Sequence, residues 1–141
     1  MPSNADLLRT AFDAWNRGDC DAWIELLDPE IEISTSGVFP DLAAEYRGHH
    51  LAAKFWRQLR EPWEVFGIVV EDIEEDGDVV VASVRFQGTG ADSGVEVDMP
   101  FGNAILVRDG LATHLVNRRT AEEAREALRT RQGDATGSSV G

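Results

Sequence analysis

Apolar residues along the chain change their period once, near Pro62. Before it the spacing is helical. Leu7, Leu8, Ala11, Phe12 and Trp15 recur three or four residues apart, which predicts a helix over 5–17 with Asn4 as its cap and Gly18 as its stop. A second short helix follows. Asp19 caps it, Ala22, Trp23, Leu26 and Leu27 form its apolar face, and Asp28-Pro29 ends it. Ile31 and Ile33 alternate with Glu30, Glu32 and Ser34, the pattern of a short strand. Residues 35–47 read as a loop. A third helix is expected over about 48–60, with Leu51, Phe55, Trp56 and Leu59 facing inward.

Beyond Pro62 the period is two. Val65 to Ile73, Val79 to Gln87, Val95 to Val107 and Leu111 to Arg118 read as four strands joined by turns at Gly77, at 88–94 and at Arg108-Asp109-Gly110. Thr120-Ala-Glu-Glu123 is a capping box that opens a last helix to about Arg131. Residues 132–141 are small and polar and are expected to be a disordered tail after one domain over 1–131. Helices gathered beside consecutive antiparallel hairpins make an α+β fold.

Length and composition agree with one ordinary globular domain: 141 residues, 43% of them hydrophobic. The net charge of -13 disfavours nucleic acid and anionic membrane as partners. No apolar run is long enough to span a bilayer and the N-terminus has no signal-peptide pattern, so a soluble, cytoplasmic protein is expected. Glu71 to Asp78 carries six acids in eight residues, but without the spacing of a calcium loop it reads as a solvated hairpin tip. No histidine pair has metal-ligand spacing, and neither a metal nor another cofactor is expected. The single cysteine, Cys20, lies between Asp19 and Asp21, which raise a thiol pKa and oppose a nucleophilic role.

The candidate chemistry sits on the strands. Val95, Val97, Met99, Phe101, Ile105 and Val107 share one parity, interrupted by Asn103. On the next strand Leu111, Thr113, Leu115 and Asn117 share a face. Two amides on an otherwise apolar concave face need partners. They bond each other or buried water, or they face a ligand. Val80, Ala82, Val84 and Phe86 are taken as inward on the preceding strand. Phe12, Trp15, Trp23, Phe55, Trp56 and Trp63 would cover the open side, as core packing or as an aromatic pocket. The expected lining is therefore Trp15, Phe55, Trp56, Val84, Phe86, Met99, Phe101 and Leu115, with Asn103 and Asn117 as the catalytic candidates. His49 and His50 are expected to be exposed, and His114 to face away from the cavity. The opposite face carries Ala104, Leu106, Ala112, His114 and Val116. It is half apolar, which predicts a covering surface and hence a homodimer.

Four segments together resemble one family: Phe12-Asp-Ala-Trp-Asn-Arg-Gly-Asp19, Leu27-Asp-Pro-Glu-Ile31, Tyr46-Arg-Gly48 followed by Phe55-Trp56, and Pro100-Phe101 through Arg108-Asp-Gly110. In order and spacing they resemble SnoaL-like proteins of the nuclear transport factor 2-like superfamily. That resemblance implies a cone-shaped barrel, a curved and mostly antiparallel sheet wrapped by three N-terminal helices, with a C-terminal helix. It also implies a homodimer and a cavity for a small apolar molecule. The implied function is a cyclase or isomerase acting on a small apolar or polyketide-like carbonyl compound. The alternative is a non-catalytic binding module for a small hydrophobic ligand. By the same resemblance, the place of the ketosteroid isomerase base falls near Ser34, its tyrosine donor near Ala11 and its carboxylic-acid donor near Asn103. The acid of SnoaL-like cyclases falls near Thr120. The usual base is thus absent and one donor survives. Asp41, Glu45 or Glu61 would have to supply a base from a loop over the mouth.

Overall fold

A computed structural model describes residues 3–36, 38–39 and 42–140, with side chains to residue 131. Its elements run α1 (Asn4–Arg17), α2 (Cys20–Ile24), β1 (Leu27–Thr35), β2 (Glu45–Arg47), α3 (Gly48–Arg60), β3 (Trp63–Asp76), β4 (Val79–Gly90), β5 (Glu96–Arg108), β6 (Leu111–Arg118) and α4 (Ala121–Val140). The strands form one six-stranded curved sheet in the order β2-β1-β6-β5-β4-β3. All neighbours are antiparallel except β1 and β6. This is the expected α+β class, but the cone is an open one: β2 and β3 are free edges and the sheet does not close into a barrel.

Local chemistry explains the ends of most elements. Ser3, not Asn4, caps α1. Its hydroxyl accepts from Asp6 N–H while the Asp6 carboxylate accepts from Ser3 N–H, a reciprocal capping box. Gly18 adopts φ 73° and ends the helix by donating to Ala14 and Trp15 carbonyls. Asp109 (φ 54°) and Gly110 (φ 79°) both lie in the left-handed region, as a tight hairpin between right-twisted strands requires. The Thr120 hydroxyl accepts from Glu123 N–H at the start of α4.

Several expectations need correction. α2 is only five residues long, and Leu27 belongs to β1 rather than to a helix face. β1 absorbs Asp28-Pro29, where its register against β6 shifts between Leu27 and Glu32. The stretch read as a loop contains β2, which pairs with β1 through Ile33 and Tyr46. Leu51 is 37% exposed, and Ala52 takes its place inside. α4 continues past the expected end near Arg131.

Packing sorts the residues into two clusters, one on each side of the sheet. The larger holds the aromatics of α1, α2 and α3 against the inward side chains of the strands. The smaller, Val81, Ala104, Leu106, Val116, Ala124 and Leu128, lies between the outer face and α4. The apolar outer face is therefore covered from within the chain, and it supplies no reason of its own for a second copy. Ala112 is not part of it. The β5–β6 register slips between Leu106 and Val107, so that Val107 pairs with Ala112 and Thr113 is left over. Ala112 turns inward, 2% exposed, and Thr113 loses the inward place expected for it. Gly102 shows how tightly α4 begins: a Cβ there would lie 2.1 Å from the carbonyl carbon of Thr120.

Candidate functional site

The inward parity expected for β4 holds, as does that of β5 from Val97 on, whereas Val95 is exposed and Thr113 of β6 departs from it. Val80, Ala82, Val84 and Phe86 on β4, Phe101, Ile105 and Val107 on β5, and Leu115 on β6 all belong to the inner cluster, with Met99 half-buried against it. Strand pairing sets Asn103 opposite Asn117, and Asn117 beside Thr35 of β1. On its other flank Asn103 pairs with Ala82. A row of inward positions thus runs Thr35, Asn117, Asn103, Ala82 across four strands.

This row holds three of the four buried polar residues among the described ones. Thr35 is 4% exposed, Asn103 3% and Asn117 5%. Asn103 Nδ2 donates to Asn117 Oδ1 at 2.7 Å. Two fully buried atoms of the row have no partner: Asn103 Oδ1 and Thr35 Oγ1. Leaving a buried polar atom unpaired costs about 1–3 kcal/mol. The amides do bond each other, as one of the two sequence readings held, yet that bond leaves the row unsatisfied.

Ser34, the fourth buried polar residue, points the other way. Its hydroxyl and carbonyl accept from the Arg118 guanidinium, at 2.9 and 3.3 Å. Burial is the main cause that lowers the Arg118 pKa. The inward residue beside it is Thr35, which sequence reasoning missed. A strict alternation from Ile31 and Ile33 would have found it.

Along β5 the inward neighbours of Asn103 are Phe101 on one side and Ile105 on the other, and the inner cluster is rich in paired rings. Trp15 stacks on Trp56 with centroids 4.0 Å apart and meets Phe55 edge-on at 5.9 Å. Phe39, from the segment between β1 and β2, meets Phe101 at 5.4 Å and Phe86 at 6.3 Å, both edge-on. Trp63 packs on Phe86 at 4.8 Å. Phe55, Val84 and Phe86 are fully enclosed by neighbours.

The ionisable residues lie elsewhere. His114 faces outward as expected, with Nε2 3.0 Å from the Glu32 carboxylate. His49 is half-buried rather than exposed, with Nε2 2.9 Å from the Leu27 carbonyl oxygen. Glu45 pairs with Arg131 and Glu61 is an exposed residue at the end of α3, so neither reaches the row. Asp41 lies outside the described residues. Cys20 is half-buried, and its thiol pKa is raised first by burial, then by Asp21 and Asp19. No cluster of metal-ligating side chains occurs among the described residues. Two clefts lie on the outer side of the sheet, one of about 400 Å³ along Val65, Gln87, Thr89 and Asp98, the other of about 200 Å³ beside α4.

The sequence profile of the SnoaL-like domain matches residues 8–115. No curated protein matches the sequence. Among solved structures, an NTF2-like protein of unknown function from Burkholderia pseudomallei is similar with a TM-score of 0.76 at 18% identity, over 87% of this chain and 95% of that one. A putative SnoaL-like polyketide cyclase from Jannaschia gives 0.71 at 23% identity, over 81% and 83%. IdmH, a putative polyketide cyclase from Streptomyces antibioticus, gives 0.73 at 22% identity, over 82% and 91%. At these identities the likeness is one of fold.

Proposed function

Since the chain belongs to the SnoaL-like family, we propose that its concave face takes up a small, largely apolar, polyketide-like carbonyl compound and holds its oxygen at the Asn103–Asn117 pair. One observation carries this reading. Asn103 is buried among aromatic and aliphatic side chains, and its amide keeps an unpartnered end. A core selected only for packing would be better served by Leu at that position. Trp15, Phe55, Trp56, Val84, Phe86, Met99, Phe101 and Leu115 of the inner cluster supply the apolar surround.

Binding is the better supported half of the proposal. Among the described residues no Asp, Glu or His is buried, so none is set beside the amides as a general base. A cyclase or isomerase reaction would draw on Asn103 and Asn117 to polarise the carbonyl. The base would come from outside the described residues, where Asp41 lies, or from the substrate itself. The resemblance alone now supports the homodimer, because α4 covers the face that suggested it. A scattering mass of 15.5 kDa at micromolar concentration would end that part of the proposal. A cytoplasmic location belongs to the same working picture; no helix among the described residues is long and apolar enough to cross a membrane.

The test uses protein purified from its native host and extracted under denaturing conditions. A small carbonyl compound should be released, and adding it back should quench tryptophan fluorescence. Asn103→Leu should weaken that binding about tenfold or more, and if the compound is turned over, kcat should fall about 10²-fold. Equal binding and equal turnover in Asn103→Leu would remove this residue from the site.

A further inference from the structure

The two free edges of the sheet, β2 and β3, carry backbone groups on which another strand can form. β2 is only three residues long and offers little to pair with. β3 is fourteen residues long, and its two halves differ. From Glu71 to Asp76 it carries five acids, and two copies of such a stretch repel each other. From Val65 to Val70 it carries no charge and no proline, and four of its six residues are β-branched, the composition of a self-pairing segment. Val65 is 56% exposed and Val69 48%.

A side chain meets the centre of this apolar half. The amide of Asn16, in the last turn of α1, accepts from the Ile68 N–H at 2.7 Å and donates to the Ile68 carbonyl at 2.9 Å. Both Ile68 groups therefore point away from β4, where Ile68 pairs with Phe86. An amide carries the donor and the acceptor of a peptide unit. Asn16 thus gives Ile68 the two bonds that a neighbouring strand would give it. It also ties the last turn of α1 to the sheet, the turn that would have to yield to such a strand. The first turn is tied separately, through the Ala5 N–H to the Glu75 carboxylate and the Asn4 amide to the Gly77 carbonyl.

The edge that Asn16 occupies fits a second copy of itself. The β3–β4 register runs without a shift from Val65 to Val70, so Phe66 and Val70 face outward as Ile68 does. Two β3 strands laid antiparallel about Gly67 would hydrogen-bond Phe66 of each to Ile68 of the other. Val65 would then lie opposite Val69 and Glu64 opposite Val70, and between Trp63 and Glu71 no like charges would be opposed.

We infer that Val65–Val70 is a latent interface for a second copy of this chain, joined edge to edge through β3, and that Asn16 is the residue that keeps it shut. The interface is separate from the outer face that α4 covers, and it does not depend on what the concave face binds.

The experiment compares the mass of the full chain with that of Asn16→Ala by light scattering at micromolar concentration. The variant should have at least twice the mass of the parent, whatever assembly the parent itself adopts. Val69→Lys added to Asn16→Ala places a charge in the pairing edge and should return the mass to that of the parent. Near-ultraviolet circular dichroism of the tryptophans reports whether each variant is folded. Should Asn16→Ala not fold, Asn16→Asp keeps the acceptor, loses the donor to the Ile68 carbonyl, and carries the same comparison. A folded variant with the mass of the parent, or a larger mass that survives Val69→Lys, overturns the inference.

Discussion

The two faces of the central strands are built from alternate residues of the same segments, yet they solve burial differently. Outside, Val81, Ala104, Leu106 and Val116 meet Ala124 and Leu128 of α4, a compact set of small and branched aliphatics. The polar side chain buried beside that cluster, Ser34, has its partner in the Arg118 guanidinium. Inside, Ala82, Phe101 and Leu115 share their face with Asn103, Asn117 and Thr35, and two polar atoms there remain unmet. The outer face is closed by packing against the chain's own helix. The inner face is closed by rings and aliphatic side chains but keeps two buried polar atoms without a partner.

The outer face should break hardest. Leu128 is 1% exposed, and Leu128→Ala should cost about 3 kcal/mol in urea denaturation. A loss below about 1 kcal/mol would mean that α4 is not a structural cover. Gly102→Val attacks the same interface from the sheet. Its Cβ would meet Thr120 and Ala121 backbone within 2.3 Å, and backbone yields poorly. A loss of about 2 kcal/mol is expected, with unfolding beginning at α4 in hydrogen exchange.

The inner face should respond in the opposite pattern. Asn103→Leu alone strands the Asn117 amide and should cost about 1–2 kcal/mol. Replacing both amides by Leu should cost less than the single change, because neither amide is then left without its partner. Additive losses in the double variant would show that the two amides act independently, and the contrast between the faces would collapse.

The smallest effect belongs to neither face. Cys20 sits where α1 meets α2, and its thiol pKa lies above the ordinary 9.0 through burial and the adjacent acids. Alkylation by iodoacetamide at pH about 8 should be slower than for a free peptide thiol, and its rate should still be climbing above pH about 9. The sign follows because the proton stays on the folded-state thiol to higher pH. A rate equal to that of a free thiol would place Cys20 outside the helix junction.

Much of this architecture was legible because its causes are local. The bounds of α3 and β6 and the Asp109-Gly110 turn follow from period and from the residues that tolerate positive φ. Alternation along β5 was enough to set Asn103 among inward apolar neighbours, and along β6 it did the same for Asn117. The family resemblance rested on short segments that keep their order along the chain.

What the chain's own pattern determined was therefore the type of most elements and the side to which most of their residues point. Only the tertiary structure decided which distant groups meet. β2 is three residues long and exists because β1 offers it an edge. Thr113 loses its inward place to a slip in pairing that no single strand encodes. α4 covers the outer face, so an apolar stripe that called for a partner finds it within the same molecule. Thr35 joins the two amides because β1 returns parallel to β6, in register with Asn117. Period and propensity act between residues a few positions apart, whereas the unmet atoms of Thr35 and Asn103 come into one row only when strands more than sixty residues apart in sequence are laid in one sheet.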